Sequence, residues 1–191
     1  MKLLKLAFTA AVLLFSTQSM AAGFYFEPAV FYESGKGNVD IDNSEATTKG
    51  MGVDLKLGMH FVDHMLFVGV DGSYSKPKFK HDNTGYEADA TSSTYGGIIG
   101  VQTPLLGLRF WAGYVAGGTL DPEESGIFDV KFDEAKGPKF GVGIKIFLVA
   151  INFEYMDLKY SKGTGNWGSI PSLDDFGNKV SMISVSLPFM F

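Results

Sequence analysis

Val180 to Phe191 reads VSMISVSLPFMF. Stepping back from the last residue, every second position is large and apolar: Phe191, Phe189, Leu187, Val185 and Ile183. The positions between them carry Ser184, Ser186, Pro188 and Met190. A repeat of two is the repeat of a β-strand, so this stretch has one greasy face and one mixed face.

The same repeat recurs upstream in seven more runs. They are Gly23 to Glu33, Gly50 to Phe61, Leu66 to Ser75, Thr94 to Gln102, Gly107 to Gly117, Pro138 to Phe147 and Ile151 to Tyr160. The second alternates most cleanly, with Met51, Val53, Leu55, Leu57, Met59 and Phe61 against Gly52, Asp54, Lys56, Gly58 and His60. In the seventh the alternation of apolar and polar breaks at Met156-Asp157, which suggests a bulge or the edge of a membrane. The connections also alternate. Residues 62–65, 103–106 and 148–150 are tight, whereas 34–49, 76–93, 118–137 and 161–179 are long and polar.

Eight strands joined by short turns at one end and long loops at the other resemble a small bacterial outer-membrane β-barrel of the OmpA, OmpX and OmpW kind. In that superfamily a terminal Phe after alternating apolar residues is the signal read by the barrel-insertion machinery. The resemblance therefore assigns Ile183, Val185, Leu187, Phe189 and Phe191 to an assembly signal. It implies an all-β, eight-stranded antiparallel up-and-down transmembrane barrel, with long loops outside and termini in the periplasm. It further implies a monomer surrounded by outer-membrane lipid and lipopolysaccharide.

The other end of the chain agrees with export. Lys2 and Lys5 precede an apolar run from Leu6 to Phe15, and Ser19-Met20-Ala21 supplies small residues for cleavage after Ala21 or one residue later. Residues 1–21 are thus expected to be a signal peptide and 22–191 the barrel. No later stretch offers the ~18 consecutive apolar residues of a spanning helix. With Lys+Arg 16 and Asp+Glu 21 the chain has a net charge of −5, which becomes 14 − 21 = −7 once Lys2 and Lys5 are removed. An acidic chain lacks the basic face that nucleic acid requires. The cysteine count of 0 excludes disulfides and thiolate metal sites.

The mixed strand faces carry four acids, Glu27, Asp54, Asp71 and Glu154, and four bases, Lys56, Arg109, Lys139 and Lys145. A soluble barrel also alternates, with its apolar face inward and its charges in water. In a membrane that register would point the four bases at hydrocarbon, at roughly 2–4 kcal/mol each near the midplane. The charges are therefore expected to face the lumen. Eight strands enclose a space that side chains just fill, and buried charges persist when paired. The eight residues are accordingly expected to interlock and plug the barrel.

Catalytic residues are not expected. His60 ends a strand, His64 lies in the adjacent turn and His81 in a long loop, and none has the Ser two residues later that marks the deacylase barrels. No cofactor or metal site is expected either. Asp121, Glu123, Glu124, Asp129, Asp133 and Glu134 form an acidic stretch, but not with the spacing of a calcium loop. They read as a solvated surface loop. Trp167, Ile170, Leu173 and Phe176 read as apolar residues of the last long loop that pack against its neighbours. The leading expectation is a non-enzymatic barrel with a structural or surface-interaction role. The alternative is a narrow channel for small hydrophobic molecules, as in the OmpW type, which a hydrophobic lumen would favour.

Overall fold

The computed structural model describes residues 22–39, 44–62, 65–81, 87–104, 106–123, 130–165, 168–169 and 176–191. The expected leader of residues 1–21, His64, Glu124, Asp129, Trp167, Ile170 and Leu173 lie outside these residues, as does the side chain of His81.

Eight strands run antiparallel in chain order: β1 (Gly23–Val39), β2 (Ser44–Phe61), β3 (Leu66–His81), β4 (Glu87–Gln102), β5 (Leu108–Pro122), β6 (Val130–Ile146), β7 (Val149–Gly165) and β8 (Phe176–Ser186). After Leu187-Pro188, β8 resumes as Phe189–Met190, and a two-residue segment, Gly168–Ser169, folds back to pair antiparallel with Thr164–Gly165 at the end of β7. The sheet closes on itself because β8 pairs with both β7 and β1. Val185 lies opposite Ile151 on one side and Val30 on the other. Closure leaves no open edge in lipid, the condition for a strand-built span.

The apolar positions read from the sequence point outward. Phe24, Val30, Tyr32, Met51, Val53, Val68, Val70, Ile99, Phe110, Phe140, Ile151, Phe153 and Ile183 are all exposed. Tyr32, Tyr74, Tyr95 and Tyr114 end this band on one side, as an aromatic girdle does at a membrane surface. The surface between girdle and short turns is one that hydrocarbon, not water, solvates.

The strands are longer than the sequence runs implied. β1 has 17 residues. At ~3.3 Å per residue and a tilt of ~40° it rises about 43 Å, against an apolar band of about 25 Å. The excess is built from segments expected to be long loops, so most of residues 34–49, 76–93, 118–137 and 161–179 is strand instead. Beyond the girdle the polarity inverts. Side-chain parity is kept on β1–β4, on β8 and on β7 as far as Tyr160, and is shifted by one residue on β5 after Val115 and on β6 at Glu134 (φ 60°). Lys78, Lys80, Lys136, Asp157, Lys159 and Lys179 face out, while Phe79, Leu120, Phe132, Leu158, Tyr160 and Phe176 face in. The physical reason is a change of solvent: here headgroups and water, not hydrocarbon, bathe the outside.

This inversion explains Met156-Asp157. The ladder Tyr155↔Ser181, Met156↔Val180, Asp157↔Lys179 runs through without a shift, so there is no bulge at that point. The irregularity lies instead between β4 and β5, where Tyr95 pairs with Gly117 and Gly96 with Val115.

Candidate functional site

Alternation places one inward side chain at every second residue, and below the girdle most of these are polar. Glu27 comes from β1, Asp54 and Lys56 from β2, Asp71 from β3, Arg109 from β5, Lys139 from β6 and Glu154 from β7. All seven are buried. They meet across the lumen. The Arg109 fork donates from Nη1 to Glu27 Oε1 at 2.9 Å and from Nη2 to Glu27 Oε2 at 2.6 Å. Arg109 also donates to the Tyr25 hydroxyl, and Ser186 Oγ donates to Glu27 at 2.5 Å.

The second group centres on Glu154. Lys56 Nζ lies 2.8 Å from Glu154 Oε1 and 2.5 Å from Asp54 Oδ2. Lys139 Nζ lies 3.0 Å from Glu154 Oε2 and is also paired with Asp71. Trp111 Nε1 donates to Glu154 at 3.4 Å. Taking such charges out of water costs several kcal/mol per ion, which only good geometry and hydrogen bonds offset. The bidentate fork and the doubly bridged carboxylate supply both.

Lys145 does not join. It is half-buried toward the short-turn end, where its ammonium donates to the Pro188 carbonyl at 3.5 Å. Its strand position is inward, as expected, but it sits four residues below Gly141 and six below Lys139. The expectation of eight interlocked charges is therefore corrected to seven, with four acids and three bases.

The aromatic packing around the charges was missed. The Arg109 guanidinium lies 5.8 Å from the ring centre of Tyr25, 5.5 Å from Phe67 and 5.6 Å from Trp111, a distance at which a cation is attracted to a ring face. Tyr25 and Trp111 are two residues from Glu27 and Arg109, so the repeat of two already set them on the same faces. Gly141 makes room for this arrangement, since a Cβ there would overlap the Trp111 indole.

Above the girdle the lumen is mainly apolar, with Thr48 and Asn178 as buried polar side chains among its apolar neighbours. Phe132 stacks on Phe176 with ring centres 4.4 Å apart, and Tyr160 lies 5.7 Å from Phe176. Phe79, Leu120, Leu158 and Val180 complete this cluster with Phe31 and Met182 beneath. Phe176, expected in a loop, is thus a strand residue buried in the upper core. Between the two zones sits Glu33, buried and accepting from Ser75 Oγ at 2.7 Å.

The acidic stretch resolves into pairs. Lys131 lies 3.5 Å from Asp133, and Lys162 is paired with Glu134, which also accepts from Ser161 at 2.9 Å. The hydrogen bonds from Lys162 and Ser161 hold the Glu134 carboxyl below its usual range. Asp133 and Glu134 belong to β6 and Asp121 to β5, so this stretch is partly strand rather than loop. Among the described histidines, His60 is buried at the short-turn end of β2. The five C-terminal positions Ile183, Val185, Leu187, Phe189 and Phe191 all face outward, and Phe24 and Phe191 exchange two backbone hydrogen bonds of 3.0 Å.

A closed antiparallel barrel with a lipid-solvated belt and a packed lumen is a transmembrane β-barrel. Two solved structures define the kind further. Neisserial surface protein A matches with a TM-score of 0.53 at 15% identity, covering 88% of this chain and 99% of that one. Ail, the attachment invasion locus protein of Yersinia pestis, solved with the heparin analogue sucrose octasulfate, matches with a TM-score of 0.50 at 15% identity, covering 87% and 99%. The fold is that of the small eight-stranded outer-membrane barrels. No protein-family model matches the sequence, and no curated protein matches it either.

Proposed function

We propose that this chain is a closed, non-enzymatic barrel of the bacterial outer membrane with a structural or surface-interaction role. Its long-strand end faces outward and its termini face the periplasm. The observation that carries the reading is the doubly filled lumen. Charged residues bridge opposite walls in the lower half, and aromatic rings stack in the upper half. An ion crossing would have to part the Arg109–Glu27 and Lys56–Glu154 contacts and then pass the Phe132–Phe176 stack. The rigid wall that remains is suited to holding a surface outside the cell, at the end where strands outrun the bilayer. Barrel-insertion machinery would act on the outward apolar residues of β8.

Planar-bilayer recording tests this. The purified barrel should give no steady single-channel currents, and stable large openings would refute it. The alternative, a narrow channel for small hydrophobic molecules, draws support from the apolar upper lumen. A molecule entering there would reach Phe31 and Met182 and then meet Glu33 and the charged floor, so this reading needs an exit that the filled lower lumen opposes.

A further inference from the structure

Outside the barrel, just past the tyrosine girdle, the lysines are not scattered. Two rows of cross-strand neighbours can be followed around the wall. One row runs Asp157 (β7), Lys179 (β8), Lys36 (β1), Thr47 (β2), Lys80 (β3) and Glu87 (β4). The next runs Tyr155, Ser181, Ser34, Lys49, Lys78 and Asp89. In the first row Asp157 and Glu87 stand at the two flanks and in the second Asp89 stands at one, with Lys78 Nζ also 3.8 Å from Glu87 Oε1. Lys36 is directly opposite Lys179, and Lys49 directly opposite Lys78. Neither Lys36 nor Lys49 has a carboxylate as a cross-strand neighbour.

Like charges directly opposite one another destabilise a sheet. On β8, β1, β2 and β3 the described outward positions past the girdle hold Lys36, Lys49, Lys76, Lys78, Lys80 and Lys179 against Glu45 alone. This concentration runs against a chain whose net charge is −5. Its height is also defined. Lys49 is two residues above Met51 and Lys36 four above Tyr32, which at ~3.3 Å per residue and ~40° of tilt is about 5–10 Å above the girdle. That is the depth of lipid headgroups, not of open water.

We infer that this lysine face clamps the phosphate groups of a phosphorylated lipid headgroup in the outer leaflet. Directly opposed residues have Cβ atoms about 5 Å apart, so two ammonium groups can converge on one phosphate. A headgroup with two phosphates can engage Lys36–Lys179 and Lys49–Lys78 together. The ligand offsets the repulsion within each pair, most of all at Lys36 and Lys49, which have no carboxylate opposite them, and the four-strand face can hold a headgroup beside the wall. The inference is independent of whether the lumen conducts.

The test uses the full mature barrel in phosphatidylcholine nanodiscs doped with bisphosphorylated lipid A or its dephosphorylated form, with bound lipid counted by native mass spectrometry. The wild type should retain the phosphorylated form preferentially. Lys36→Gln with Lys49→Gln should weaken retention by roughly fivefold per lysine, the value of one basic residue near an anionic surface. Lys131→Gln with Lys162→Gln, which removes two lysines already paired with Asp133 and Glu134, should leave it unchanged. Equal retention of both lipid forms by the wild type would overturn the inference. So would an unaffected Lys36/Lys49 variant, or an equal loss in the control variant. Competition by millimolar inorganic phosphate would assign the face to free phosphate and overturn the lipid assignment.

Discussion

Replacing Arg109 by Met gives the sharpest test of the lower lumen. The substitution keeps most of the side-chain length but leaves Glu27 a buried carboxylate that retains the Ser186 hydroxyl as a donor. Arg109 and Glu27 are each about 1% exposed, so water cannot replace the lost fork. Breaking such a pair from one side costs about 3–5 kcal/mol, whereas removing both charges together is often close to neutral. Arg109→Met should therefore lower stability by about 3–5 kcal/mol, and Glu27→Gln by a similar or smaller amount. The double variant should recover about 2–4 kcal/mol of the summed loss as coupling. Urea unfolding in lipid vesicles, followed by Trp111 fluorescence and by gel mobility with and without boiling, would measure all three. Trp111 lies 5.6 Å from the guanidinium, so its emission should also shift in the folded single variant. A coupling below about 1 kcal/mol, or a double variant as unstable as the sum of the singles, would refute the claim that these charges are held by one another.

Two other perturbations address the rest of the barrel. Phe132→Ala should cost about 3–5 kcal/mol, because its ring stacks 4.4 Å from Phe176. Thermal unfolding would measure that loss, and conductance should stay absent because the charged floor is untouched; a loss under 1 kcal/mol would show the upper lumen to be loosely filled. Deleting Phe191 removes two hydrogen bonds to Phe24 but no lumen contact. Folding into vesicles, timed by the mobility shift, should slow several-fold, and an unchanged time course would remove the assembly role from this residue.

The lower half of the molecule was legible because period and polarity agree there. Val30 and Val185, Met51 and Val53, Phe153 and Ile151 alternate with residues that lipid excludes. The repeat of two thus gave both the strand and its outward face. Glu27, Asp54, Lys56, Asp71, Arg109, Lys139 and Glu154 were placed inward on the same logic, but which acid meets which base depends on barrel diameter and tilt, which alternation does not encode. Lys145 shows the limit. It shares its strand face with Lys139, yet six residues of rise carry it out of the network.

The upper half was misread because its polarity is reversed while its period of two persists on most strands. Lys76, Lys78 and Lys80 alternate with Pro77 and Phe79, and Asp157 and Lys159 with Leu158 and Tyr160. That is a repeat of two as regular as any below. It looked like polar loop only because strand was equated with an apolar outward face.

The reversal has a mechanical consequence. A barrel with one uniform belt can slide along the bilayer normal until its ends resist. Here several strands, β3 and β7 most plainly, carry two opposite patterns joined at the girdle, so sliding in either direction is opposed. A shift inward by two residues, about 5 Å with tilt, would draw Lys49, Lys76 and Lys78 toward hydrocarbon. Near the interface each costs up to about 1 kcal/mol and nearer the midplane about 2–4 kcal/mol, so resistance rises steeply with depth. A shift outward would expose Tyr32, Met51 and Tyr74 to water, at about 25 cal/mol per Å² of apolar surface. The vertical position is therefore set by the same residues that set the register. The rim is held at a fixed height above the lipid, as the proposed surface role requires.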